Sequence, residues 1–277
     1  MRPQYLYIAA DGPRNNNVMD KQLCEEARKN IINNIDWKCE VKQLFQESNL
    51  GCGLAPATGI TWFFEHVDEG IILEDDLIPN KSFFLFCKAM LERYRNDYRV
   101  MHISGDCFIP FSIAESYYFT NYTHVWGWAT WKRAWKLFNM DMLDWNLKNK
   151  DLFLNKTLNH YHAEIYWKQI FDKISHVGYK DVWDFQWTYA CWCNNALAIS
   201  PGTNLVTNFG FRSDATHTFS LRSPLAKIPT YEINIKNLIH PLHVTVNQKA
   251  EAYVRDKIYL RKKTSVLETM YRFLKYN

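Results

Sequence analysis

Read from the N-terminus, the chain alternates short apolar runs with amphipathic stretches. Residues 5–10 (YLYIAA) end in the turn sequence DGPR and predict a buried strand. Leu23, Ala27, Ile31 and Ile35 recur every four residues, which predicts a helix over 20–35. Alternation over 39–46 predicts a second strand, 54–67 reads as a helix weakened by Gly59, and 70–73 as a third strand. A helix over 80–95 follows, with Asn80 or Ser82 available as its cap, and 100–104 (VMHIS) is the fourth strand. This alternation predicts an α/β fold: a Rossmann-like, mainly parallel sheet flanked by helices on both faces.

The second half is less regular. Residues 117–122 read as an extra strand, 129–138 and 151–175 as helices, 184–193 as a short helix and 196–200 as a strand. A loop-rich stretch follows to residue 218. No internal repeat or low-complexity linker interrupts the chain, so one domain is expected over 1–253 and a tail over 254–277.

Strand order also predicts a site. In open α/β sheets the ligand crevice lies beyond the carboxyl ends of the strands. Asp11-Gly12-Pro13-Arg14 follows the first strand and Glu74-Asp75-Asp76 follows the third, so both groups are expected at one edge. A plain type I or II turn is the alternative for residues 11–14. Clustered carboxylates raise one another's pKa unless a cation is present. Hard oxygen donors suit Mg²⁺ or Mn²⁺, which keep positions open for substrate phosphates. A solvated acidic turn is the other reading, but this triplet abuts an apolar strand.

The segment GIILEDDLIPNKSFFLFCKAMLERYRND (70–97) resembles the metal-binding segment of type-A-fold glycosyltransferases, in particular the N-acetylglucosaminyltransferase I group. The likeness continues through VMHISG (100–105), YYFTNYTHVWGWATWKRAW (117–135) and VWDFQW with ALAISPGTNLVTNFG (182–210). Bacterial sugar transferases of surface-glycan pathways share the EDD and WGWATW combination. The resemblance implies a nucleotide-binding half over 1–110 and an acceptor half over 111–253. It implies Mn²⁺ (or Mg²⁺) on Asp76, Asp75 on the donor ribose, and Glu74 near the metal's waters or the donor sugar. Asp11 would read the nucleobase edge, and Arg14, on charge alone, would meet a phosphate. The segment around Trp126, Trp128 and Trp131 would lie beside donor sugar and acceptor, with Gly127 allowing close backbone approach.

Sugar transfer passes through an oxocarbenium-like transition state, and inversion needs a carboxylate to take the acceptor's proton. The resemblance puts that base at Asp184, between bulky aromatics; a helix-capping Asp184 is the alternative, and Asp181 the second choice as base. In many such transferases a loop after the base orders over bound donor, here 208–218. His217 within it is a candidate second metal ligand or phosphate contact, against a structural histidine.

Composition narrows the class. Aromatic residues make up 16%, suited either to a heavy core or to a saccharide or nucleotide cleft. The net charge of +4 is uneven: the last 24 residues carry +5 and the other 253 carry −1. A near-neutral body with a basic end argues against nucleic acid as partner. Seven cysteines without metal-site spacing fit reduced thiols in a cytoplasm. With no long apolar run, the basic tail is either a helix docked on the body or a peripheral contact with an anionic membrane. The expected function is metal-dependent sugar transfer from a nucleotide-diphospho-sugar, UDP-linked by resemblance, to a saccharide or lipid-linked glycan. A sugar-nucleotide nucleotidyltransferase and a non-catalytic carbohydrate-binding protein are the alternatives.

Overall fold

The computed structural model describes residues 1–178, 180–211, 225–226 and 228–260. The elements run β1 (Tyr5–Ala10), α1 (Val18–Asn33), β2 (Glu40–Phe45), α2 (Gly51–His66), β3 (Glu69–Ile72), β4 (Leu77–Pro79), α3 (Lys81–Tyr94), β5 (Val100–Ser104) and β6 (Tyr117–Thr120). Then come β7 (Trp128–Trp131), α4 (Lys132–Trp135), α5 (Lys150–Leu158), α6 (Tyr161–Val177), α7 (Asp184–Cys193), β8 (Leu197–Pro201), β9 (Val206–Asn208) and α8 (Gln248–Val254). A π-helical turn, Arg255–Tyr259, follows α8 directly. Asn80 caps α3 as expected, its side chain accepting from the Phe83 amide at 3.0 Å.

The protein is mixed α/β, with a central mixed sheet flanked by helices. The expected mainly parallel sheet is corrected. β1 and β2 pair in parallel as a separate two-stranded sheet, and the central five strands run in the order β3-β7-β5-β8-β6. The difference comes from β7, which the sequence pattern placed in a helix. It inserts between β3 and β5, antiparallel to both. β5 and β8 are parallel, β6 and β8 antiparallel. β4 and β9 form a short antiparallel ribbon in which Leu77 faces Asn208.

Side chains alternate across the central sheet as the two-residue period requires. Tyr117 and Phe119 join the core under α3 with Phe83, Phe86 and Met90. Tyr118 points the other way, into a larger core with Trp128, Trp145, Trp167 and Trp187. Helix α2 ties the two-stranded sheet to the central one. Its Phe63 packs edge-on against Tyr7 of β1 at 5.0 Å, and a Cβ on Gly70 of β3 would meet the same ring at 2.2 Å. Gly59 lets α2 lie close on β1, where an added Cβ would stand 2.8 Å from that of Ala9. The segment from Val254 to Leu260, placed by sequence in the tail, packs on the body: Val254 is buried and Tyr259 lies 4.6 Å from Tyr122, ring to ring. Residues 261–277 lie outside the described residues. Among the described residues no helix is long and apolar enough to cross a membrane.

Candidate active site

The acid triplet sits where β3 leaves the central sheet. A turn from the Leu77 amide to the Glu74 carbonyl (3.3 Å) carries the chain into β4. The β4–β9 pairing extends one step beyond the strands, because the Phe209 amide donates to the Asp76 carbonyl at 2.8 Å. Asp76 is therefore fixed at the backbone by a second segment of the chain.

The Glu74 carboxyl is pushed up to about 7, by the surrounding protein first and then by Asp76, Asp184 and Asp75. Although the residue as a whole is exposed, the protein packed around its carboxyl is the largest cause of the rise. Asp184, 108 positions beyond Asp76 in sequence, thus lies near enough to act on the triplet. The thiol of Cys52, in the first turn of α2, also feels Asp184. Burial raises it first, then Asp181, Asp11 and Asp184, and its Sγ donates to the Asp181 carbonyl at 3.0 Å.

Asp184 opens α7, and the cap position belongs to Trp183, which makes no side-chain capping bond. Asp184 stands in the first turn of α7, one residue past the cap position. The rings that follow from Trp183 interlock. Trp183 stacks on Trp128 at 5.5 Å, and the Trp187 indole donates to His102 Nδ1 at 3.0 Å. His102 Nε2 then carries the proton and donates to the His124 carbonyl at 2.8 Å, so the imidazole is neutral, its pKa lowered by burial to about 3.

Several expected site residues do other work. Asp11 accepts from the amides of Gly12, Leu50 and Gly51 and from Asn49 Nδ2, at 2.8 to 3.0 Å. Both oxygens are engaged in tying the β1 turn to the start of α2, which leaves the base-reading role without a free acceptor edge. Arg14 grips Asp20 with two nitrogens, Nε at 2.5 Å and Nη2 at 2.9 Å, so its fork is already filled. Trp128 and Trp131 are 1% exposed and belong to the core. Trp126 is half-buried and is held edge-on by Phe108 at 5.1 Å and Phe211 at 5.6 Å. Gly127 has φ +67°, and a Cβ there would crowd Val206, Leu73 and Phe83 at 3.0 to 3.3 Å. Conformation and packing, not approach of a ligand, demand glycine at that position. Asp75 is exposed. His217 lies outside the described residues.

Sequence reasoning passed over Asp106. It follows β5 by two residues, at the same kind of strand end that singled out Asp11 and the triplet. It is fully buried, and among the described residues neither carboxylate oxygen makes a hydrogen bond of good geometry. Burial holds its pKa well above the ordinary value, against a smaller pull from its own and the Trp126 backbone. Tyr259 feels both Asp184 and Asp106, which puts the helical turn Arg255–Tyr259 near these two acids. Glu251 shows how the fold treats a structural buried acid: it receives Thr120 Oγ1 at 2.5 Å and Asn121 Nδ2 at 2.8 Å.

No protein-family model and no curated protein matches the chain.

Proposed function

We propose that the protein is a metal-dependent glycosyltransferase, moving a sugar with inversion from a nucleotide-diphospho-sugar to a saccharide or lipid-linked glycan. A glycosyltransferase type-A architecture is part of the same proposal, supported by the β1-α1-β2-α2-β3 alternation and by the triplet at the end of β3. The observation that carries the reading is that Asp184 acts on Glu74 together with Asp76 and Asp75, which brings a distant carboxylate near the triplet.

The residues fit a hard divalent cation. The three charges acting on Glu74 are acids, and a cation is the chemistry that lets such a group stay ionised. Among the described residues no three metal-binding side chains converge on one point. The protein would thus supply Asp76, with Glu74 near the waters, while substrate phosphates complete the shell, as Mg²⁺-type sites commonly do. Bound there, Mn²⁺ or Mg²⁺ would neutralise charge developing on the diphosphate leaving group. Asp184 takes the acceptor hydroxyl's proton as that oxygen bonds to the anomeric carbon and the bond to the diphosphate breaks. The half-buried Trp126 and Phe108 offer ring surface suited to a sugar's C–H face.

UDP release from UDP-sugars, with and without Mn²⁺, tests the proposal. Asp76→Asn is expected to abolish metal-dependent UDP binding. Asp184→Asn is expected to keep it and lose about 10²- to 10⁴-fold in kcat. Pyrophosphate as product, or sugar binding indifferent to EDTA with no turnover, would overturn the reading.

A further inference from the structure

The contact between Asp76 and Gly210 specifies more than a place for the acid. A Cβ built on Gly210 would stand 1.9 Å from Asp76 Oδ2 and 2.9 Å from its Cγ, with Asn208 Oδ1 at 3.0 Å. Glycine is usually kept where φ is positive, but Gly210 is not among the positive-φ residues. Its backbone would accept any side chain, so empty space is what glycine provides at this point. The segment is held on both sides of it: the Phe209 amide bonds to the Asp76 carbonyl, and the Gly210 amide donates to Asn208 Oδ1 at 2.6 Å.

We propose that Gly210 is a positioning residue that seats the Asp76 carboxylate at the metal-binding position, by giving it a backbone wall without a side chain. This rests on the glycosyltransferase reading and adds to it a requirement on the β9 side of the site. The atom in the way of a new methyl is the tip of a short side chain, not backbone. A substitution at 210 is therefore relieved by rotating the Asp76 carboxylate away, which spares the fold and spoils the site.

The test uses the full-length chain and reads free Mn²⁺ by its electron paramagnetic resonance signal, titrated in the presence of UDP. Gly210→Ala is expected to fold and to bind Mn²⁺ about 10- to 100-fold more weakly, the range for losing a group that orients a metal ligand. In an Asp76→Ala background the same change is expected to cause no further loss. Gly202→Ala, where an added Cβ meets its nearest atoms at 3.2 Å, is the control expected to bind as the parent does. A folded Gly210→Ala protein with parental affinity overturns the proposal, as does an equal further loss in the Asp76→Ala background. If Gly210→Ala does not fold, a folded Asp76→Ala/Gly210→Ala double variant supports the contact, and an unfolded one overturns it. If the parent itself fails to bind Mn²⁺ with UDP, the transferase reading falls. Gly210 is then judged by thermal unfolding, and a destabilisation not relieved by Asp76→Ala overturns the contact.

Discussion

Between β1 and β2 the chain leaves Leu23 54% and Ile31 46% exposed, whereas around α7 it buries Trp128, Trp167 and Trp187 to 1% or less. Helix α1 has a regular four-residue apolar period, yet its buried residue is Asp20. Polar bonds hold that unit together: Arg28 Nη2 reaches the carbonyls of Asp11 and Gln46 at 2.9 and 2.8 Å, and Arg14 clasps Asp20. The aromatic half is held by apolar area and interlocking rings. Periodicity reports which helix forms; it does not report how much that helix buries. The two regions meet where Cys52 of α2 donates to the Asp181 carbonyl, three residues before Asp184.

The largest effect that would test this contrast is at Trp187. Its ring is fully buried, 5.2 Å from Trp135 and 5.8 Å from Trp128, and its indole nitrogen serves His102. Trp187→Ala is expected to cost about 3–5 kcal/mol in urea-induced unfolding, as a buried large-to-small change does. It also removes the donor that keeps His102 in one tautomer. A cost near that of an α1 surface change would break the comparison.

Much of the first half was legible in the sequence because local signals and tertiary demands agree there. The four strands, three helices and the Asn80 cap lie within a few residues of their expected places. Pairing was not legible. Trp128–Trp131 carries a strand's aromatic and β-branched composition, but it is followed at once by KRAW, and the helical period there masked it. The ribbon of β4 and β9 is three residues on each side, below what alternation can signal. At the candidate site, the triplet's place just beyond β3 was legible from the strand end, whereas Asp184 was singled out by family resemblance, not by a pattern in its own segment. The true duty of Asp11 was not, since its partners Asn49, Leu50 and Gly51 are reached through space. Asp106 was missed although the same strand-end rule points to it.

Asp106 gives an intermediate effect with a sign. In the folded chain its proton is held above the pH at which an unfolded aspartate, near 3.8, releases it. The folded state then binds more protons than the unfolded one, so stability contributed at low pH is lost as pH rises past the ordinary carboxylate range. Asp106→Asn has no proton to lose. The variant is expected to gain on the parent by about 1.4 kcal/mol per pH unit while Asp106 stays protonated. Paired urea titrations at pH 5, 6 and 7 measure the gap. A gap that stays flat or narrows with pH would mean that Asp106 is ionised in the fold, and that a cation from outside the described residues reaches it.

The smallest effect is on α1, and it is the sharper control because it concerns residues that look like core. Leu23 sits in the apolar period that predicts the helix, so a periodicity argument alone would give Leu23→Ala the cost of a core truncation, about 2–5 kcal/mol. The structure leaves more than half of Leu23 in solvent, and alanine is the better helix former. The expected change is within about 0.5 kcal/mol of zero, the range for surface substitutions. Ile31→Ala should behave alike, since Ile31 is also nearly half exposed and alanine again favours the helix. A cost of core size at either position, measured in the dilute monomer, would show that α1 is buried in the working protein. A cost that appears only at high protein concentration would instead show that a second copy covers the stripe, because binding to the folded state alone makes stability concentration-dependent.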